Sequence, residues 1–427
     1  MQRIELEIKA LSALAIARQK AGGSIGEAVD YIPGTVIRGA VAAQILDLSN
    51  GRSADLTENG GDFQALFLSD NPAIFQNAYP SALQIKKHPV PQYRIKEIRV
   101  LPATALSSKN KPGFTSENKT GLTPKSHGVF DTLIDRFCAE GYGYPYDPNC
   151  PEDGGRVDPA GISFYCVVEN KYYSLSVKKR LLTRVGINRR RGTSEEEILY
   201  SLEVLNESQE NKQNPVYYRG AILVEEEDLA ESLRDFIQER QQNFRLGGST
   251  SRGLGKVEIN TKKPVDAKID VSDRVDKFNQ KLKERWDEWG VFGNPIKESP
   301  TNRTYFTLDL QSDAILTENW RRTTVISKKM LHQFAGIEDK DNSLHLEAAY
   351  SSYDFLSGWN AGWGLMKDVE LITNKGGVYL FSTTRPDIWI DKLGELEEKG
   401  VGDRTCEGFG QIQICNQFHL VFRENRV

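Results

Sequence analysis

The sequence predicts an α+β protein built from a duplicated unit, and two recurrences carry that expectation. Arg245-Leu246-Gly247-Gly248-Ser249-Thr250-Ser251-Arg252-Gly253-Leu254-Gly255-Lys256, leading into the alternating Val257-Glu258-Ile259, returns in weaker form 155 residues later. The second copy is Gly402-Asp403-Arg404-Thr405-Cys406-Glu407-Gly408-Phe409-Gly410-Gln411 before Ile412-Gln413-Ile414. The units also share a beginning. Residues 3–10 place Ile4, Leu6 and Ile8 on one strand face, and residues 304–311 repeat the pattern with Phe306, Leu308 and Leu310. A helix predicted over 228–244 precedes the first glycine-rich turn. These markers divide the chain into one unit over 1–265, a helical connector over 266–299 and a second unit over 300–427.

After the first strand, Thr35 is placed to cap a helix over 36–48, whose small residues Gly39, Ala40, Ala42 and Ala43 suit close packing on a sheet. Arg38 then falls in the first turn, beside amides that favour anions. An arginine bridging to a surface carboxylate is the equally ordinary alternative. Residues 50–218 are too long for a simple connection and rich in Gly, Pro, Asn and charge, so they read as an insertion with strand-like pieces at 92–100 and 161–168. Near its end, Ser194 and Glu197 have capping-box spacing, which predicts a helix starting at Glu195. Arg189, Arg190 and Arg191 would be presented on a loop or hairpin just before it. Over 271–289, Val271, Val275, Phe278, Leu282, Trp286 and Trp289 recur at helical spacing. One apolar face of this kind is a core contact rather than a base-stacking platform.

The chain has 427 residues, of which 39% are apolar, enough for two or three ordinary cores without covalent staples. No signal-peptide core and no run of membrane-spanning length appears, so a cytoplasmic protein with no membrane partner is expected. Five cysteines, an odd number, argue for reduced thiols. The net charge of −4 does not advertise a nucleic-acid partner, but the charge is segregated. Between Asn170 and Ser194 there is no acid, while Lys171, Lys178, Lys179, Arg180, Arg184, Arg189, Arg190 and Arg191 supply eight positive charges. A solvated surface usually mixes signs, so this block suits a polyanion, a solubilising loop being the bland alternative.

Gly253-Leu254-Gly255-Lys256 superficially resembles a nucleotide-binding loop and fails as one. Thr250 occupies the required first glycine, Val257 the required hydroxyl residue after lysine, and the loop runs from helix into strand rather than from strand into helix. Glycines that free backbone amides, together with arginine, suit a phosphate backbone instead. Catalytic signals are poor. The five histidines form no HxxxH or HExxH pair. Cys138, Cys150 and Cys166 lack CxxC spacing; they could join His127 in a tetrahedral set, but independent thiols are the default. No catalytic residue, metal or cofactor is assigned.

Ile32-Pro33-Gly34-Thr35-Val36-Ile37-Arg38-Gly39-Ala40, the glycine loop and its second copy together resemble the RAMP (repeat-associated mysterious protein) superfamily of CRISPR systems. Val185-Gly186-Ile187-Asn188-Arg189-Arg190-Arg191-Gly192-Thr193 and Ser357-Gly358-Trp359-Asn360-Ala361-Gly362-Trp363-Gly364 are similar to segments of the large two-domain RAMP subunits of type III-D effector complexes. The resemblance implies two ferredoxin-like βαββαβ domains, similar to RNA-recognition domains, the first carrying the insertion, with a glycine loop between last helix and last strand. It implies a noncatalytic subunit that binds the repeat-derived 5′ handle of crRNA and caps the foot of the complex. Its partners would be other RAMP backbone subunits and the large signalling and nuclease subunit, with target RNA nearby. RNA contact is then carried onto Arg38, Gly247, Gly248, Ser249, Arg252, Gly253 and Gly255, joined by the basic residues Lys178, Lys179, Arg180, Arg184, Arg189, Arg190 and Arg191. In the second loop Glu407 replaces Arg252 and Gln411 replaces Lys256, so that copy faces a protein or holds the duplicate fold. The alternatives the resemblance implies are an endoribonuclease maturing precursor crRNA, with His88 beside Lys86 and Lys87, or His127 beside Lys125, as general acid or base, and a backbone subunit cutting target RNA with Asp30.

Overall fold

A computed structural model describes residues 1–18, 27–48, 61–81, 95, 97–115, 126–188, 193–209, 214–338, 343–360 and 365–422. The fold is mixed α/β, with antiparallel sheets throughout the described residues. In the first half, β1 (Gln2–Ala10), α1 (Gly34–Leu48), β2 (Ile74–Phe75), β3 (Tyr79–Pro80), β4 (Tyr217–Val224), α2 (Glu227–Glu239) and β5 (Val257–Thr261) form the main layer. Its sheet runs β5-β1-β4-β2, with β3 also on β4. The alternation in β1 decides its register: Ile4, Leu6 and Ile8 are all buried, facing Ile37, Val41, Leu233 and Ile237 in one core.

α3 (Ser272–Trp289) connects this layer to a second one, comprising β6 (Thr304–Leu310), α4 (Lys328–Ala335), β7 (His345–Tyr350), β8 (Val378–Thr383), α5 (Pro386–Lys399) and β9 (Ile412–Ile414). The second sheet runs β7-β8-β6-β9. With β2 and β3, which both pair with β4, counted as one interrupted edge strand, the two sheets follow the same order: last, first, third, second. The duplication seen in the loops therefore extends to the strand order. Asp270 accepts bonds from the Ser272 amide and hydroxyl at the start of α3, and the helix buries Val275, Phe278, Leu282 and Trp286 against the second sheet. Each such side chain contributes about 1.5–3 kcal/mol.

Three sequence expectations need correction. α1 starts at Gly34, not at 36, because the Gly34 amide finds its cap in Asn77 Oδ1 at 2.7 Å rather than in Thr35; Arg38 thus lies in the second turn. α2 ends at Glu239 instead of 244. The helix expected from Glu195 is a strand: Thr193–Leu205 pairs antiparallel with Lys179–Asn188. Alternation at Ile198, Tyr200, Leu202 and Val204 outweighs the capping spacing, since a long partner strand is present to satisfy it.

Residues 74–80, inside the span read as insertion, supply β2 and β3 of the main sheet. Besides the hairpin of Lys179–Asn188 and Thr193–Leu205, the span also holds two small three-stranded sheets, a short ribbon of Ser208–Gln209 with Asn214–Pro215, and the helices Gly61–Phe67 and Leu133–Gly141. The latter helix packs Leu133, Ile134 and Phe137 into the core of the second half, and Asp135 binds Arg285 at 2.6 Å and Trp289 Nε1 at 3.2 Å. The two halves also meet directly: the Tyr79 hydroxyl donates to Gln311 O, Val100 N donates to Gln311 Oε1 at 2.9 Å, and Lys375 pairs with Asp30 at 3.2 Å. All five cysteines are free, and no described helix is long and apolar enough to cross a membrane.

Candidate nucleic-acid interface

The first glycine loop is pinned to the residues that follow β1. Leu246 N donates to Gly255 O at 2.8 Å, Gly248 N to Ala15 O at 2.8 Å, and Gly255 N to Ala13 O at 2.9 Å. Between these anchors Ser249 (φ 58°) and Gly253 (φ 85°), both left-handed, bracket a single 3₁₀ turn, Thr250–Arg252. The turn stands out from the surface: Gly248, Thr250, Ser251, Arg252 and Gly253 are exposed, flanked by exposed Arg245 and Lys256. Gly247 and Gly255 serve closure instead, since a Cβ at either would lie 2.6 Å from a carbonyl oxygen, of Ala15 and Leu246 respectively.

The hairpin formed by Lys179–Asn188 and Thr193–Leu205 leans on this loop. Leu254 packs with Ala13, Val204, Leu182 and Leu202, while Arg252 donates to the Tyr200 hydroxyl with its guanidinium 5.4 Å from that ring. Arg184 is the cross-strand partner of Tyr200, so arginine, tyrosine and arginine follow one another across the junction. Lys178 and Lys179 are exposed; Lys179 also donates to Ala28 O, and Arg180 is held by Glu207 at 2.9 Å. Positive charge, a ring and free loop backbone suit single-stranded RNA.

The second loop has the same backbone and a different fate. Val401 N donates to Gly410 O, Asp403 N to Ile315 O and Gly410 N to Asp313 O, at 2.8, 2.9 and 2.9 Å, while Arg404 (φ 59°) and Gly408 (φ 91°) bracket Thr405–Glu407. This copy is seated on the first half. Asn77 joins the two, accepting from Gly34 N at 2.7 Å and donating to Gly408 O at 3.1 Å. Burial pushes the Glu407 carboxyl up, but the Arg404 guanidinium at 2.6 Å outweighs it and holds the group below its ordinary range. Here the duplicate loop is a structural plug.

Matched substitutions separate the roles. A Cβ at Gly253 meets nothing within 4 Å, whereas one at Gly408 lies 2.6 Å from Asn77 Oδ1 and 2.9 Å from Phe75 O. Gly253→Ala is expected to cost only the left-handed backbone term, about 1–2 kcal/mol. Gly408→Ala should cost about 2–3 kcal/mol more, because the junction must also shift. Urea denaturation of both variants checks this; equal losses would contradict the plug.

A family model described as the RAMP superfamily matches residues 22–258, more than half of the chain. This chain belongs to the RAMP superfamily. No curated protein matches its sequence significantly. Similar solved structures include one described as a cryo-EM structure of the type III-B Cmr-beta bound to cognate target RNA and AMPPnP, state 1. There the identity is 13% and the TM-score 0.39, over 88% of this chain and 86% of that one. Another, of the type III-B Cmr-beta bound to cognate target RNA, shows 12% identity and a TM-score of 0.38 over 88% and 86%. Likeness at that level carries no functional inference.

Within this RAMP chain, the expected contact residues other than the closure glycines Gly247 and Gly255 fall into three groups. Gly248, Ser249, Arg252 and Gly253 sit together on the projecting turn, with Lys178, Lys179, Arg180 and Arg184 on or beside the adjoining hairpin. Arg38 lies apart from them: its Nη2 donates to Phe67 O at 2.8 Å, its guanidinium rests 5.2 Å from the Phe67 ring, and its charge reaches Cys406 and Glu407 of the second loop. Arg189, Arg190 and Arg191 lie outside the described residues, as do His88 and residues 361–364. Tyr200 was missed because its strand was read as a helix; the period-two alternation was the available signal. Arg245 and Lys256 were visible in the sequence as the loop's basic flanks.

Proposed function

We propose that this RAMP protein is a noncatalytic crRNA-binding subunit of a type III CRISPR effector ribonucleoprotein, recognising the repeat-derived 5′ handle and capping the base of the complex. The observation that carries the reading is the asymmetry of the duplicated loops. One copy is plugged into the protein's own first half, with its acid neutralised. The other, with the same backbone, projects beside a basic hairpin and presents Arg252 and Tyr200. The two halves are read as ferredoxin-like domains, over about 1–265 and 300–427, with α3 as connector; their matching strand orders support that reading. Partners would be crRNA, the RAMP backbone subunits and the large signalling and nuclease subunit, in the cytoplasm.

The nuclease readings find less support. Asp30, the acid candidate for target cutting, is paired with Lys375. His127 is drawn toward Cys150 and Asp153, away from a role on RNA. Tagged protein isolated from its native host tests the proposal. Enrichment of RNAs sharing one repeat-derived 5′ end, together with other CRISPR subunits, is expected. A lone protein without enriched RNA would contradict it.

A further inference from the structure

We infer that His127, Cys150 and Asp153 form a binding site for one divalent transition-metal ion, zinc by the chemistry of its donors. Their ligand atoms lie within 4.8 Å of one another, with Cys150 Sγ 3.5 Å and Asp153 Oδ2 3.3 Å from the same atom, His127 Nδ1. A tetrahedral zinc with bonds of about 2.3 Å to sulfur and 2.0–2.1 Å to nitrogen and oxygen separates S from N by about 3.5 Å and N from O by about 3.3 Å. The observed separations are the edges of such a tetrahedron.

Convergence on one ring nitrogen also distinguishes this cluster from a nucleophilic triad. In a triad the thiol and the carboxylate use opposite nitrogens of the imidazole, so that one proton can be relayed between them. Here both crowd Nδ1. A single N–H cannot serve thiol and carboxylate at full strength, whereas a cation placed among the three satisfies a lone pair from each. Charge agrees: on binding, the Cys150 thiol releases its proton to solvent, and thiolate plus carboxylate neutralise a divalent ion while the imidazole donates without charge.

The site is built by the local chain. Cys150 N donates to Gly155 O and Gly154 N to Cys150 O, closing the turn, and Gly155 N donates to Asp153 Oδ1 at 2.9 Å, which leaves Oδ2 toward the histidine. His127 N is fixed to Lys111 O at 2.9 Å. Cys150 is buried, His127 mostly so, and Asp153 closes the solvent side. The ion would tie the Cys150–Gly155 turn to the strand that starts at Val129, within the inserted region. Cys138 and Cys166, the other thiols considered with His127 from the sequence, belong instead to separate apolar clusters, where burial pushes both up to about 12.

The test uses full-length protein stripped with chelator and reloaded with zinc or cobalt(II). About one equivalent of zinc should survive gel filtration, and cobalt should give a thiolate charge-transfer band with tetrahedral ligand-field absorption. That band should vanish in Cys150→Ser and persist in Cys138→Ala and Cys166→Ala. Because Asp153 is exposed, Asp153→Asn keeps the fold and should bind zinc roughly tenfold or more weakly in a competition titration. Retention below about a tenth of an equivalent, or a cobalt band unchanged in Cys150→Ser, overturns the assignment. Metal content and spectrum are read without RNA, so the result stands apart from the proposed crRNA role.

Discussion

Replacing Lys178, Arg184 and Arg252 together with alanine is expected to weaken binding of single-stranded RNA carrying the repeat-derived 5′ end by roughly one to two orders of magnitude at 0.1 M salt. The slope of log affinity against log salt should fall by about 2, since each lost phosphate contact on a single strand removes about 0.7. Arg184 and Arg252 flank Tyr200 where hairpin and turn meet, Lys178 is exposed at the base of the hairpin, and none of the three carries the core. Arg252 also donates to the Tyr200 hydroxyl and packs on its ring, so Arg252→Ala removes a charge and the ring's support together and should lower affinity more than Lys178→Ala. A matched control is Arg322→Ala, whose guanidinium already pairs with Asp403 and Glu370 near the second loop. Fluorescence anisotropy at four salt concentrations reads both quantities. A triple variant with unchanged slope places the RNA elsewhere on the protein.

The second large effect concerns folding rather than RNA. His419 is fully buried between two carboxylates, with Nε2 2.7 Å from Asp309 and Nδ1 3.1 Å from Asp131. Burial alone would lower its pKa, but Asp309 and Asp131 raise it from the ordinary 6.5 to about 10. The folded state therefore keeps a proton that the unfolded chain gives up near 6.5. The resulting stability is complete below that pH and is lost as pH rises through about 10, with a steepest slope of about 1.4 kcal/mol per pH unit. His419→Gln leaves both carboxylates buried without their cation and should cost about 3–5 kcal/mol at neutral pH. Urea denaturation between pH 6 and 10 compares the two proteins. If their stabilities ran parallel across that window, His419 would not be the group that titrates.

That triad also shows where sequence reading stopped. Asp131 lies in the inserted region, Asp309 in β6 and His419 in the last turn, so no spacing rule links them. The same holds for His127, Cys150 and Asp153, whose separations of 23 and 3 residues match no ligand motif. By contrast, the glycine loops were legible because each copy is local: helix, turn and strand follow one another, and left-handed positions restrict residue choice at fixed offsets. The hairpin was legible in charge and misread in conformation, because a glutamate-rich strand has helix-like ends until its partner is known.

Local chemistry thus determined the duplication, the α3 core stripe and the basic block, since periodicity and turn residues act over a few neighbours. Glu407 and Gln411 already marked the second copy as facing a protein or holding the duplicate fold, and the tertiary structure decided between these by seating it on this chain's own first half. The two loops share their hydrogen bonds and their positive φ angles; what differs is that Asn77, more than three hundred residues away from Gly408, closes one and leaves the other open. Which segment covers a loop is settled by packing between residues far apart in the chain, and that has no local sequence signature.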